Sequence, residues 1–150
     1  SIQVLQKLLM SIIIRLRIKI FEGGFHMTYS ELLNYCLSKN GAYVDHPFGP
    51  DSDIIKVEGK IFAQLFILKG KETATLNCER MQGDFYRHLF PDIVVRGYHC
   101  PPVQQPYFNT FPLDSVPDEM ILEMADHSYI TVVGKLPKYK QKKLLGEETD

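Results

Sequence analysis

The chain lacks the cysteine pattern of a disulfide framework or of a zinc site. Its three cysteines, Cys36, Cys78 and Cys100, are odd in number and far apart, and no CxxC pair occurs among the 150 residues. Disulfide scaffolds need an even set of cysteines, and zinc ribbons need closely spaced ligand pairs. The sequence therefore predicts reduced thiols in the cytoplasm, with no metal and no cofactor.

Long apolar runs are also missing. The apolar stretches are too short to cross a bilayer. In residues 1–26 the basic residues follow the apolar run instead of preceding it, which is the reverse of a secretory signal. We expect no membrane span and no secretion, while an amphipathic surface anchor within residues 1–26 stays open.

A strong charge of either sign is absent as well. Seventeen basic and eighteen acidic residues leave a formal net charge of −1. Four basic residues and one acidic residue in 1–26 sum to +3, so the other 124 residues carry −4. A free-standing nucleic-acid binder usually has the opposite sign. Any contact with nucleic acid must therefore come from a local patch.

The segment 1–26 differs in pattern from the rest of the chain. Its first half has apolar residues at helical spacing, and Arg15–Ile20 then alternates like a strand. The chain begins at Ser1, and residues 22–27 back-translate to a purine-rich ribosome-binding site ahead of a start codon. We therefore expect residues 1–26 to be translated leader or vector-derived sequence, with the native chain starting at Met27.

From Met27 onward, the sequence contains recognisable helix and strand patterns separated by turn residues. Thr28 and Glu31 are spaced as a capping box, and Gly59 lies between two β-rich runs as in a tight hairpin. Residues 130–133 have strand propensity, but their spacing with neighbouring apolar residues is helical. The patterns predict helices at 29–39, 79–90 and 117–134, and strands at 42–46, 54–58, 60–68, 73–77, 93–98 and 107–113.

These elements predict an α+β fold. The connections between neighbouring strands are too short for parallel crossovers, so the sheet must be antiparallel, with the helices packed on one face. The domain is expected to cover residues 27–138. Residues 139–150 are expected to form a polar C-terminal tail that frays.

The least generic stretch runs from residue 96 to residue 111. Prolines at 101, 102 and 106 restrict its backbone, and aromatic and amide side chains lie among them. Such rigid loops are commonly recognition surfaces for a base, a peptide or a small ligand. Aromatic side chains that cover the core beside a proline turn would explain the composition equally well. The candidate recognition residues are Arg96, Tyr98, His99, Gln104, Tyr107, Phe108 and Asn109.

Lysines are concentrated near hairpin turns and in the C-terminal region. Lysines in these places are suited to phosphate contacts, and a solvated surface is the plainer alternative. The basic C-terminal run also contains Tyr139, Lys142 and Lys143. The candidate nucleic-acid-binding residues are Lys56, Lys60, Lys69, Lys71, Lys135, Lys138 and Lys140.

No catalytic motif is recognisable, and we expect a protein without enzymatic activity. His99 beside Cys100, and the run 126–128 of Asp, His and Ser, contain the letters of catalytic groups. Neighbours in sequence seldom reach catalytic geometry, because such sites are assembled in space. Structural roles are expected instead, with Asp45 holding the following loop and Ser128 joining the last helix to the sheet.

Six short segments together resemble the MmcQ/YjbR family of small bacterial cytoplasmic proteins, over about residues 28–138. The resemblance implies a CyaY-like, or secretion-chaperone-like, fold with the order α-β(3)-α-β(2)-α. It also implies DNA binding through a double-wing arrangement and no enzymatic activity. The segments that carry it are 45–49, 55–63, 76–78, 97–99, 108–110 and 127–138.

The sequence departs from the family pattern near residues 96–111, which we call the central loop. Phe108 stands where the family usually has tryptophan, and the loop before it is longer than in many members. The leading prediction is a non-enzymatic cytoplasmic DNA-binding protein. The alternative is a protein-interaction or chaperone-like module that receives a peptide or small ligand at residues 96–111.

Overall fold

The computed structural model describes residues 2–9 and 26–146. No helix in these two ranges combines the length and apolar character needed to cross a membrane. Two short 3₁₀ turns lie at Gln105–Tyr107 and Leu113–Ser115. The helices are α1 (2–9), α2 (Tyr29–Leu37), α3 (Arg80–Leu89), α4 (Asp118–Val133) and α5 (Lys138–Leu145), and the strands are β1 (Ala42–Asp45), β2 (Ser52–Val57), β3 (Lys60–Leu68), β4 (Lys71–Asn77), β5 (Val95–Arg96) and β6 (Phe108–Pro112).

The six strands form one sheet in the order β1-β2-β3-β4-β6-β5, with every neighbouring pair antiparallel. Alternate residues point to opposite faces of a sheet. One face carries buried apolar residues such as Ile55, Leu65, Ala74 and Phe111, against which the helices pack. The predicted α+β fold with an antiparallel sheet is therefore confirmed.

Two hairpin turns have the conformation that the strand twist favours. Glu58 and Gly59 join β2 to β3 with φ of 50° and 76°, and Lys69 and Gly70 join β3 to β4 with φ of 52° and 78°. Two-residue turns with positive φ at both positions match the right-handed twist of the flanking strands. Both turns occur where the sequence predicts them.

Helix α4 is tied to the sheet through one buried hydroxyl. Ser128 Oγ donates to the carbonyl of Phe62 at 2.5 Å and accepts from the backbone N–H of Asn77 at 2.9 Å. Phe62 is the extra residue of a β-bulge, because Ile55 pairs with Ala63 while the next residue of β2 pairs with Ile61. The bulge frees a carbonyl for the helix. The expected role of Ser128 is thus confirmed.

The expectation of a fraying C-terminal tail is wrong for residues 139–146. They belong to helix α5 and its cap, with Leu144 buried and Gly146 in the left-handed conformation that ends many helices. Asn40 Nδ2 donates to the carbonyl of Leu144 at 2.8 Å. A helix whose sequence offers so little apolar surface is stabilised by contacts that its own pattern does not reveal.

The element order also differs from the implied α-β(3)-α-β(2)-α. Four strands lie between α2 and α3, and α5 follows α4. The strand predicted at 93–98 is only Val95–Arg96, because the N–H groups of Ile93 and Val94 both donate to the carbonyl of Phe90 in a turn. Placement among the CyaY-like folds stays a prediction.

Helix α1 contacts the rest of the chain at α3, where Lys7 Nζ donates to Gln82 Oε1 at 2.8 Å. The strand-like run 15–20 and the last four residues lie outside the described residues. The fold does not test the expectation that residues 1–26 are leader sequence or the expected start of the domain at Met27. Both stay predictions, which mass spectrometry of protein from the native host would check.

Candidate nucleic-acid interface

The two hairpin turns place their lysines at opposite ends of the sheet. Lys60 begins β3, and Lys69 follows its last residue. At about 3.3 Å per residue these two positions are roughly 30 Å apart. We call the end with the β2–β3 turn the lysine end, for the side chains that gather there, and the other the far end.

Helix α4 runs from the far end to the lysine end. At its start, Asp118 Oδ1 accepts from the N–H of Met27 at 2.7 Å, and near this point Glu72 at the start of β4 accepts from the N–H of Tyr29 at 3.2 Å. About two-thirds of the way along the helix, Ser128 bonds Phe62, which is two residues beyond Lys60. The C-terminal turns of α4 therefore extend toward the β2–β3 turn.

An ion pair fixes α5 at the same end. Lys140 Nζ lies 3.2 Å from Glu58 Oε2 in the β2–β3 turn. Gln141 Nε2 donates to the carbonyl of Leu136 at 2.7 Å, which closes the link between α4 and α5. The lysines on the elements at this end are Lys60, Lys135, Lys138, Lys140, Lys142 and Lys143, of which Lys60, Lys135, Lys138 and Lys143 are exposed.

Lys56 does not join this group as a free cation. Its Nζ donates to Asp45 Oδ2 at 2.8 Å, and its side chain is 18% exposed. This hydrogen bond raises the pKa of Lys56 and lowers the pKa of Asp45. Asp45 also accepts from the N–H of His46 at 2.8 Å, as expected for a residue that holds the following loop. The charge of Lys56, a predicted phosphate contact, is thus already neutralised by Asp45.

Lys69 and Lys71 are at the far end. Lys71 Nζ lies 3.5 Å from a carboxylate oxygen of Asp114, and both side chains are largely exposed. Four of the seven predicted lysines, namely 60, 135, 138 and 140, therefore share one end of the molecule. Lys69 and Lys71 lie at the far end, and Lys56 is paired with Asp45, as Lys140 is with Glu58. Lys142 and Lys143, which the predicted site omits, belong with the four.

The central loop approaches the lysine end at Tyr107. The backbone N–H of Cys78 donates to the carbonyl of Tyr107 at 2.9 Å. Burial raises the pKa of the Cys78 thiol to about 11, and the positive charges of Arg87 and, more weakly, Lys135 oppose that rise. Lys135 is therefore near Cys78, and Tyr107, whose side chain is 42% exposed, lies beside the same end.

The first part of the loop folds over the sheet face opposite the helices. The N–H of Tyr98 donates to Thr110 Oγ1 at 2.9 Å, and the Tyr98 ring stacks on Phe66 with 6.1 Å between centroids. His99 has φ of 61° and packs its ring edge-on against Tyr98 at 4.0 Å. These predicted recognition residues form an aromatic cluster of their own, separate from the lysines.

Three comparisons place the chain among known proteins. A family model described as YjbR matches residues 37–131. The Escherichia coli K12 protein named Uncharacterized protein YjbR is 30% identical over 120 residues, which cover 79% of this chain and 98% of that protein. The chain belongs to the YjbR family. The resemblance drawn from the short segments is therefore confirmed.

One further curated protein is similar in sequence, and two solved structures share the fold. The Escherichia coli O157:H7 protein named Uncharacterized protein YbdF is 26% identical over 98 residues, covering 65% of this chain and 78% of that one. Deinococcus radiodurans DR2400, a DUF419 domain, superposes with a TM-score of 0.71 at 24% identity, over 79% of this chain and 88% of its own. A Pseudomonas syringae protein superposes with a TM-score of 0.57 at 18% identity, over 68% and 96%.

One residue of the family-like segments was wrongly expected to face a ligand. Asn109 is 1% exposed, its Oδ1 accepts from Arg87 Nη1 at 2.6 Å, and its Nδ2 donates to the carbonyl of Gly83 at 3.2 Å. Both halves of the amide are used inside the protein, joining β6 to α3. Its role is structural.

The other loop residues are divided between surface and support. Arg96 and Gln104 are exposed. Phe108 is half-buried, and its Cβ would lie 2.7 Å from a Cβ added at Gly97, so only glycine fits there. Phe108 therefore supports the turn into the loop, while Arg96, Gln104 and Tyr107 are exposed on it.

The adjacent residues 126–128 bond to different partners and not to one another. Asp126 accepts from Tyr35 Oη at 2.6 Å, Ser128 is buried against the sheet, and His127 Nε2 accepts from the N–H of Glu79 at 2.9 Å. Burial lowers the pKa of His127. No group of three potential metal ligands occurs in the described part of the chain. The geometry thus gives each of these side chains a packing or capping role.

Proposed function

We propose that the protein is a non-enzymatic DNA-binding protein of the cytoplasm that holds the phosphate backbone at its lysine end. The observation that carries this proposal is the ion pair between Lys140 and Glu58, 3.2 Å long. It seats α5 beside the β2–β3 turn, so that Lys138 and its neighbours on α5 lie near Lys60. The pair itself is neutral, and the exposed Lys60, Lys138 and Lys143 make this surface locally basic on a protein with a net charge of −1.

Like charges on α5 are consistent with a role in binding phosphates. Lys138 and Lys142 are four residues apart on an eight-residue helix that contains no acidic residue. Like-charged pairs at this spacing destabilise a helix by about 0.2–0.5 kcal/mol. Phosphates would relieve that repulsion, and release of their counterions would favour binding in a strongly salt-dependent way.

The test compares two double variants that remove the same charge from opposite ends. Lys60→Gln/Lys138→Gln should weaken binding to labelled duplex DNA and reduce the salt dependence of log K by about 2, because each lost phosphate contact contributes about 0.9. Lys69→Gln/Lys71→Gln should leave both quantities nearly unchanged. Fluorescence anisotropy across a salt series measures them. Equal effects in the two variants, or no binding by the parent protein at low salt, would refute the proposal.

A second candidate function is favoured by apolar exposure on the central loop. Val103 is 84% exposed, and Val95 on the two-residue edge strand β5 is 43% exposed. Exposed apolar side chains beside a sheet edge suit an extended peptide. If the protein is a chaperone-like module, it should bind reduced, carboxymethylated α-lactalbumin, and Val103→Asp should abolish that binding without changing DNA affinity. Calorimetry that detects no heat of binding would exclude this candidate.

A further inference from the structure

Tyr139 is an exposed aromatic residue among the lysines of α5. Its side chain is 70% exposed, whereas Tyr86 and Tyr129 in the core are 1% and 5% exposed. Residues three and four positions apart are neighbours on a helix surface, so Lys142 and Lys143 lie one turn beyond the ring. A large apolar ring therefore lies in water beside several ammonium groups.

The stability of α5 does not account for this ring. The helix is anchored by other side chains, namely buried Leu144, the Gln141 bond to Leu136 and the ion pair of Lys140. Tyrosine is also a poorer helix former than the lysine and glutamine residues around it. Removing the ring should leave the fold intact, which makes its contribution to binding separable.

An exposed ring beside cations discriminates between forms of nucleic acid. Lysines attract the phosphates of any nucleic acid, but a ring can stack only on a base whose face is free. Bases of a duplex are already stacked on one another, whereas those of a single strand are available. We infer that the lysine end prefers single-stranded nucleic acid, with the Tyr139 ring stacked on a base.

A second aromatic side chain extends the same surface. Tyr107 is 42% exposed at the end of the central loop, and its carbonyl accepts from the N–H of Cys78, which follows β4 at the lysine end. A single strand that crosses from α5 to the loop would therefore meet a second aromatic ring at the same end of the sheet. Grooves lined by both cations and aromatic rings bind single strands along the backbone without recognising a particular sequence.

A single-tryptophan variant provides the direct test, because the chain contains no tryptophan. Tyr139→Trp should bind a twelve-nucleotide thymidine oligomer, and stacking should quench its fluorescence. The matched control is Phe48→Trp. Phe48 is 72% exposed and lies in the turn between β1 and β2 at the far end. The control should bind the oligomer equally well, as measured by anisotropy, without quenching.

Affinities of ring variants complete the test. Tyr139→Ala should lower affinity for the thymidine oligomer roughly 5- to 100-fold, from the usual strength of base stacking, and should change affinity for a hairpin duplex far less. Tyr139→Phe should retain the affinity, because the ring face is kept.

The inference rests on the proposed phosphate binding, and the outcomes separate the two. If duplex binds as tightly as the oligomer, and the fluorescence of the Tyr139→Trp variant is unquenched at saturation, the preference for single strands is overturned while the phosphate proposal stands. If neither nucleic acid binds at low salt, the proposed function fails and the inference fails with it.

Discussion

The two ends of the sheet have similar hairpin turns, but the side chains around the turns differ in charge. Each has a two-residue turn with positive φ and a lysine close to the glycine, Lys60 at one end and Lys69 at the other. At the far end, carboxylates such as Glu72 and Asp118 cap nearby N–H groups. At the lysine end, α5 adds four lysines in eight residues. The net charge around each hairpin turn therefore depends on the side chains that the fold packs beside it.

The largest expected effect comes from breaking the bond that positions α4 between the two ends. Ser128→Ala would leave the carbonyl of Phe62 and the N–H of Asn77 without their partner in the core. Each buried group left unsatisfied costs about 1–3 kcal/mol, so we expect a loss of about 2–4 kcal/mol in the free energy of unfolding. Urea denaturation measures it.

The control for that variant is Ser115→Ala. Ser115 is exposed, and its hydroxyl donates to Asp114 within the same short turn. Its removal should change stability by less than about 0.5 kcal/mol, as for most surface substitutions. Equal losses for the two serines would show that the buried hydroxyl does not tie α4 to the sheet.

A smaller effect is expected when α5 loses its apolar anchor. Leu144→Ala should cost about 2 kcal/mol, at the low end for a buried leucine, because its helix is short and close to the C-terminus. Hydrogen exchange should show that α5 opens first. DNA affinity should fall because the lysines of α5 are no longer held beside the β2–β3 turn. Leu145→Ala, at a side chain 39% exposed, should change neither. Unchanged exchange in α5 after Leu144→Ala would contradict this account.

The smallest effect is a pH dependence that differs between the two ends. Burial, and to a lesser degree the charge of Lys7, lowers the pKa of His127 below 6.5, while Glu79 opposes the shift. The unfolded chain then binds more protons than the folded one as pH falls through 6.5, so this contribution to stability is present above that pH and declines below it. The His127 contact with α3 should therefore weaken first on acidification.

Carboxylates at the far end respond at lower pH. A hydrogen bond from Tyr29 lowers the pKa of Asp53, so its contribution holds until the pH falls below about 3.9. Urea unfolding between pH 7 and 5 should show a smaller decline for His127→Gln, which keeps an acceptor for the N–H of Glu79 but does not titrate. His88→Gln, exposed on α3, is the control. Parallel pH curves for His127→Gln and the parent protein would exclude His127 as the titrating group.

Much of the fold could be predicted because it depends on local patterns. The spacing of apolar residues predicted α2, α3 and α4, including the helical state of residues 130–133. Glycines at 59 and 70 predicted the hairpins, since few other residues adopt positive φ readily. The family could be recognised from short segments in their order along the chain. Strand 93–98 was overestimated, because Asp92 with φ of 65° begins a turn that uses its first N–H groups.

The candidate site could be predicted only in part, because it depends on contacts between distant residues. The sequence by itself determined which side chains carry charge and where the chain turns, through properties of each residue and its near neighbours. Only the tertiary structure decided that Lys140 reaches Glu58, that Lys56 is neutralised by Asp45, and that Asn109 is turned into the core. Burial and pairing energies depend on partners that the chain brings together only by folding.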